Sequence, residues 1–248
     1  MAARPLVVSA PYLIRQSYEE YTTEQHAVWA ELVGRRRRQL NVYACREYLE
    51  GSEIIGLQDD RLPDLSAVTS RLKPRTGWST TPVSGFLPAE AFFEMLAARS
   101  FPTTTWLRGR DSLEYIPEPD IFHDVFGHVP MHAQPVFADF LQHYGKVCAK
   151  IKNPEVLERL GRLFWYTVEF GLIREAGRIK VYGSGIISSH AECTNVIEAG
   201  CEVRDFVLNE VLATPVKVDS IHKLLFAIES FDQIYDAMHS AEEQLTGA

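Results

Sequence analysis

Apolar residues recur at three-and-four spacing along much of the chain, the pattern of helices that bury one face. Val28, Leu32 and Val33 form one such stripe, with Thr22 and Gln25 at capping-box spacing ahead of it. Ile234, Met238 and Leu245 form another near the far end, behind Ser230 and Gln233 at the same spacing. Val136, Phe137, Phe140, Leu141 and Tyr144 predict a third helix between them. Asn153-Pro154, an N-cap residue followed by proline at the first helical position, predicts the start of a long helix reaching about Ile173. The stretch GRIKVYGSGIISS, Gly177 to Ser189, is β-branched and punctuated by glycine, and TPVKVDS around Val216 alternates apolar with polar residues; both predict short strands. No longer period recurs, which excludes a solenoid. The expected fold is mostly α with a small β-sheet, an α+β single domain.

Composition narrows the partners. The 248 residues are 46% hydrophobic and 23% charged, enough for one substantial core with a deep pocket. A formal net charge of −8 opposes binding to a phosphate backbone, so no nucleic-acid partner is expected. The one basic run, Arg35-Arg36-Arg37-Arg38, follows an apolar stripe and is expected to be a solvated helix C-terminus. The opening MAARPLVVSAPYLIRQ has too short an apolar stretch for a secretory signal, and no apolar run could span a bilayer, so no membrane partner and a cytoplasmic location are expected. Cys45, Cys148, Cys193 and Cys201 form no CxxC pair, which argues for reduced thiols.

The chemistry starts in PDIFHDVFGHVPM, Pro119 to Met131, where His123 and His128 stand in a mostly apolar run. Their spacing is five, whereas a helical zinc-protease pair is spaced four. On an ideal α-helix five positions diverge by about 140°, so both imidazoles reach one ion only if the helix ends or distorts; Gly127 and Pro130 permit that. Hydrogen-bonded core histidines are the other reading. Glu169, in RLFWYTVEFGLIRE, has Trp165 and Leu172 at i−4 and i+3, so its carboxylate emerges from an apolar face. Burying it calls for a cation, either an arginine or a metal. Together the three side chains make the two-histidine, one-carboxylate set of non-haem Fe(II), with zinc as the alternative. Three functions remain open: an iron oxygenase, a zinc hydrolase and a binding protein with a vestigial triad. The five-residue spacing counts against the second.

PEPDIFHDVFGHVPMHAQPVFADF, FWYTVEFGLI and YGSGIISS, in that order, resemble the catalytic domain of the pterin-dependent aromatic amino acid hydroxylases, and most of all the short bacterial phenylalanine 4-hydroxylases. The likeness runs from about Tyr18 to Met238 and suggests an N-terminal extension over residues 1–17 and a catalytic domain over 18–248. It implies Fe(II) on His123, His128 and Glu169, a tetrahydropterin (tetrahydrobiopterin or a relative) as electron donor, and O2 as co-substrate. It further implies that Arg108 grips the carboxylate of an aromatic amino acid, that Asp120 orients Arg108, and that Tyr115, Pro119, Trp165, Phe170, Gly185 and Ser188 line the substrate pocket. For the pterin it implies contact near Leu87 in GFLPAEAFFEML and stacking on Phe92. Asp124 stands where the family typically has a glutamate, and Phe164 where animal members often have tyrosine, which alters both pterin contacts.

Trp165 in place of the phenylalanine of tryptophan hydroxylases, and Val218 near the aspartate of tyrosine hydroxylases, imply phenylalanine as substrate, hydroxylated to tyrosine. Another aromatic amino acid, or the meta carbon, is the alternative. The lack of the animal enzymes' regulatory and tetramerisation segments implies an unregulated monomer.

Overall fold

The computed structural model describes residues 12–114, 116–217 and 220–247. In chain order the regular elements are α1 (Thr23–Tyr43), α2 (Arg46–Ile54), α3 (Leu65–Thr76), β1 (Ser79–Pro82), α4 (Ala89–Ala97), β2 (Ser100–Thr103), α5 (Pro135–Cys148), α6 (Pro154–Phe164), β3 (Leu172–Glu175), β4 (Arg178–Val181), α7 (Ser184–Ser188), α8 (His190–Ile197), β5 (Glu202–Asp205), α9 (Leu208–Ala213), β6 (Leu224–Ile228) and α10 (Phe231–Thr246). Two π-helical segments, Phe122–His128 and Trp165–Glu169, interrupt this list. The strands form a parallel β1/β2 pair and a four-stranded sheet of order β4-β3-β6-β5. The mostly α, small-sheet expectation holds.

The capping box forms as its spacing predicts: Gln25 N donates to Thr22 Oγ1 at 3.2 Å and Thr22 N donates to Gln25 Oε1 at 2.9 Å. Its counterpart at Ser230 does not, because Gln233 Oε1 accepts from Glu229 N instead and the Ser230 side chain makes no cap. The apolar stripe of α5 is the centre of the core, with Phe137, Phe140, Leu141 and Tyr144 all buried and α4 and α10 packed against it.

Four expectations change. The helix from Asn153 ends as α-helix at Phe164, passes into the π-helical turn and gives way to β3 at Leu172, so it does not run on to Ile173. In GRIKVYGSGIISS only the first half is a strand; Ser184–Ser188 is a helix, held by Arg36, whose Nε and Nη2 donate to the carbonyls of Ile187 (2.8 Å) and Ile186 (3.2 Å). The TPVKVDS strand is absent over residues 214–217, and residues 218–219 lie outside the described residues, as does the comparison made at Val218; the parallel strands there are β5 and β6. The arginine run is mid-helix, since α1 continues to Tyr43. Arg36 is buried, while Arg35 pairs with Glu31 and Glu114 and Arg37 with Asp59.

Candidate active site

The five-residue spacing of the histidines is resolved by the backbone. In a π-helix the hydrogen bond runs from i to i+5, so residues five apart lie roughly one above the other instead of diverging as on an α-helix. Phe122–His128 is such a segment, and it brings His128 Nε2 to 3.2 Å from His123 Nε2 with the rings perpendicular. The second π-helical turn does the same service for the carboxylate. Phe170 N donates to Trp165 O at 2.8 Å, and Glu169 comes to lie with Oε1 3.1 Å from His128 Nε2 and Oε2 3.7 Å from His123 Nε2. Gly127 permits the close packing of the first segment on α7, since a Cβ there would meet Ser184 O at 3.1 Å.

The surroundings prepare these atoms for a cation. Ser188 Oγ–H donates to Ser184 O at 2.8 Å, so at His123 the hydroxyl accepts, taking the Nδ1–H at 2.9 Å. That fixes the tautomer and leaves the Nε2 lone pair facing Glu169 and His128. Ser184 Oγ donates to Glu169 Oε2 at 2.8 Å. Burial pushes His123 down to about 4, so its imidazole is neutral at neutral pH. Burial would raise Glu169, but the two imidazoles and the Ser184 hydroxyl outweigh it and hold the carboxylate down at about 2. No arginine pairs with Glu169 among the described residues, which removes the structural ion-pair reading. Two bare or displaceable nitrogens and one ionised carboxylate, all within 4.8 Å of one another, fit a divalent metal.

Arg108 and Asp120 pair in the interior. Arg108 Nε and Nη2 donate to Asp120 Oδ2 and Oδ1, each at 2.9 Å, and the Arg108 backbone N adds a bond at 3.0 Å. Asp120 is fully buried and also accepts His123 N at 3.1 Å, so one carboxylate ties the arginine to the first turn of the histidine segment. Arg108 Nη1 donates to Leu113 O at 3.3 Å. One N–H on each terminal nitrogen then remains, the end-on fork that fits a substrate carboxylate.

Trp165 and Phe170 stack with ring planes 15° apart and centroids 5.9 Å apart, forming one wall beside the triad. Gly185 is needed against that wall, because a Cβ there would lie 2.6 Å from Phe170 Cε1. Ser188 is drawn into the support of His123, and Pro119 is a half-buried lead into Asp120. Tyr115 lies outside the described residues. On the expected pterin side Phe92 meets Phe164 edge-on at 5.8 Å and Leu87 is half-buried. Asp124 Oδ2 is taken up by Thr104 N and Oγ1, both at 2.7 Å, which leaves only its other oxygen for a ligand.

Of three further supporting groups, the first two carry no signal by spacing. His222 lies tilted against Phe170 at 3.9 Å between centroids and is held through Nδ1 by Glu192 Oε1 at 2.8 Å, a pair thirty positions apart. Arg36 acts through α7. Ser184 was open to inference, since it lies four residues before Ser188 on one face of a helix.

A triad of this kind, with the Trp165/Phe170 pair and the Arg108 fork on neighbouring residues, has the donor set of a mononuclear metal oxygenase. The chain belongs to the biopterin-dependent aromatic amino acid hydroxylases, whose family pattern matches residues 15–247. It is 42% identical over 227 residues to the phenylalanine-4-hydroxylase of Chromobacterium violaceum, covering 91% of this chain and 76% of that one. A crystal structure of that bacterium's phenylalanine hydroxylase with iron(III) and 7,8-dihydrobiopterin superposes with a TM-score of 0.89 at 42% identity, over 95% of this chain and 87% of the other. Another, with iron and phenylalanine bound, gives a TM-score of 0.86 at 41% identity, over 95% and 88%.

Proposed function

We propose that this enzyme hydroxylates the ring of L-phenylalanine to tyrosine, with one Fe(II) held by His123, His128 and Glu169, a tetrahydropterin and O2. The observation that carries this reading is the placement of the buried triad next to both the Trp165/Phe170 wall and the pair formed by Arg108 and Asp120. The iron supplies vacant coordination positions and the pterin two electrons. The chain's own residues bind, orient and shield. The end-on fork of Arg108 takes the amino acid carboxylate, Asp120 fixes the fork, and the aromatic wall holds the ring at a set distance from the triad. Ser188 keeps His123 in its ligating tautomer and Ser184 keeps the carboxylate turned inward. Phe92, Phe164 and the segment near Leu87 form the pterin side, with Asp124 reduced to one available oxygen.

The catalytic unit spans 18–248 in this proposal, with 1–17 as an extension. We place the enzyme in the cytoplasm, which the free cysteines support, as a monomer without a nucleic-acid partner, the last supported by the charge of −8. Among the described residues no helix is long and apolar enough to cross a membrane.

The test is phenylalanine-dependent oxidation of tetrahydropterin in air by iron-loaded protein, with products separated after phenylalanine, tyrosine and tryptophan are offered in competition. Tyrosine from phenylalanine is expected as the main product. A preference for tryptophan, or a meta-hydroxylated product, overturns the substrate assignment. Zinc-dependent hydrolysis without pterin turnover overturns the oxygenase reading itself.

A further inference from the structure

A second cluster of the same donor types lies on the outside of the molecule. His143 projects from α5, and His239 and Glu242 project from α10, three residues apart and therefore on one helix face. Their ligating atoms all fall within 4.8 Å of one another. The His143 and His239 rings stack at 4.1 Å between centroids with planes 26° apart, and Tyr235 meets His239 edge-on at 4.8 Å. We propose that His143, His239 and Glu242 form a divalent transition-metal site, of the zinc class, that clamps α10 onto α5.

Three observations converge on this. His143 Nε2 is shielded from solvent and lies 2.9 Å from Glu242 Oε2, yet the contact lacks hydrogen-bond alignment. Two ligand atoms directed at a common ion stand in that relation to each other, close but not pointing at one another. The second observation is the donor spacing. Two imidazoles from facing helices and a carboxylate three positions along α10 from His239 lie close enough for one ion to bridge them. The bridge forms once the stacked His143 and His239 rings turn edge-on to the ion, since an imidazole lone pair lies in its ring plane. The third is access. Side-chain exposures of 21% for His143 and 26% for Glu242 put the cluster at the edge of the helix contact, next to solvent that can complete a coordination shell.

Two nitrogens and one carboxylate select zinc, copper or nickel over magnesium and calcium, which prefer oxygen shells. Among the described residues no arginine fork accompanies this cluster, which joins two packed helices, so its role is a clasp across the α5/α10 contact.

The experiment uses the full iron-loaded protein. Zinc is added, unbound metal is removed by dialysis, and both metals are counted by elemental analysis alongside pterin-coupled turnover. The wild type is expected to retain about one further equivalent of zinc per chain with its iron in place, and to gain thermal midpoint from it. His239→Ala and, separately, Glu242→Gln are expected to lose the extra zinc and the thermal gain while keeping iron and turnover. Absence of extra zinc in the wild type overturns the proposal. So does persistence of the extra equivalent in both variants, and folding of the variants is checked by their retained iron and turnover.

Discussion

Among the described residues the chain carries two sets of two imidazoles and one carboxylate, one at His123, His128 and Glu169 and one at His143, His239 and Glu242. The inner set stands on two π-helical turns, its outer nitrogen and outer oxygen are held by Ser188 and Ser184, and it faces an aromatic wall and an arginine fork. The outer set stands on two regular α-helices at the surface and has none of these. The same donors therefore sit in different surroundings. In the proposed function, the support that fixes His123 and Glu169 and the aromatic wall that places a substrate ring beside them set the inner cluster apart.

Loss of a ligand should separate the two regions most sharply. Glu169→Ala or His123→Ala is expected to reduce bound iron and pterin-coupled turnover to background, because two ligands hold Fe(II) poorly against water. His239→Ala should leave both within about twofold, the range of a surface change. Iron analysis and turnover on the same samples check this. The next effect lies at the fork. Arg108→Lys keeps a cation beside Asp120 but removes the bidentate geometry, and should raise KM for the amino acid about 10- to 100-fold with a smaller change in kcat. Steady-state kinetics read it directly.

Removing the support without the ligand tests why the inner set is special. Ser188→Ala leaves His123 free to rotate or change tautomer and should weaken iron affinity about 10- to 100-fold, measured by competition with a chelator. The remaining effect is on stability away from neutral pH; at pH 7 almost none of it shows. His123 is held down to about 4 and His132 to about 3, in both cases chiefly by burial, against an ordinary value of 6.5. Below about 6.5 the unfolded chain binds protons that the folded chain refuses. The contribution of these two histidines to metal-free stability is therefore complete above that pH and falls as pH drops towards 4, by up to about 1.4 kcal/mol per pH unit for each. Asp124 offsets this in part, because burial pushes its carboxyl up to about 6 and the folded chain gains a proton over the same range. Urea midpoints across pH 7 to 4 measure the slope, and His132→Gln should make it shallower.

The sequence makes some of these features legible and hides others for definite reasons. The stripes of α1, α5 and α10 are visible because each repeats at helical spacing over several turns. The three inner ligands are visible because polar groups in apolar runs demand partners. Their meeting is not visible, since it depends on π-helical turns that leave the apolar periodicity almost unchanged. Arg36 reads as one of four solvated cations; only the packing of α7 against α1 shows it donating to buried carbonyls. TPVKVDS alternates like a strand, yet the sheet takes the more apolar Leu224–Ile228, whose three central residues Leu225, Phe226 and Ala227 are buried. The His222–Glu192 pair under Phe170 joins residues too far apart for any local pattern.

The most direct measurement is anomalous diffraction at the iron edge from crystals of the iron-loaded protein. The account predicts an iron peak about 2 Å from His123 Nε2, His128 Nε2 and a Glu169 oxygen together. Iron bound without one of these three, or resting on the outer cluster with the inner one bypassed, contradicts it.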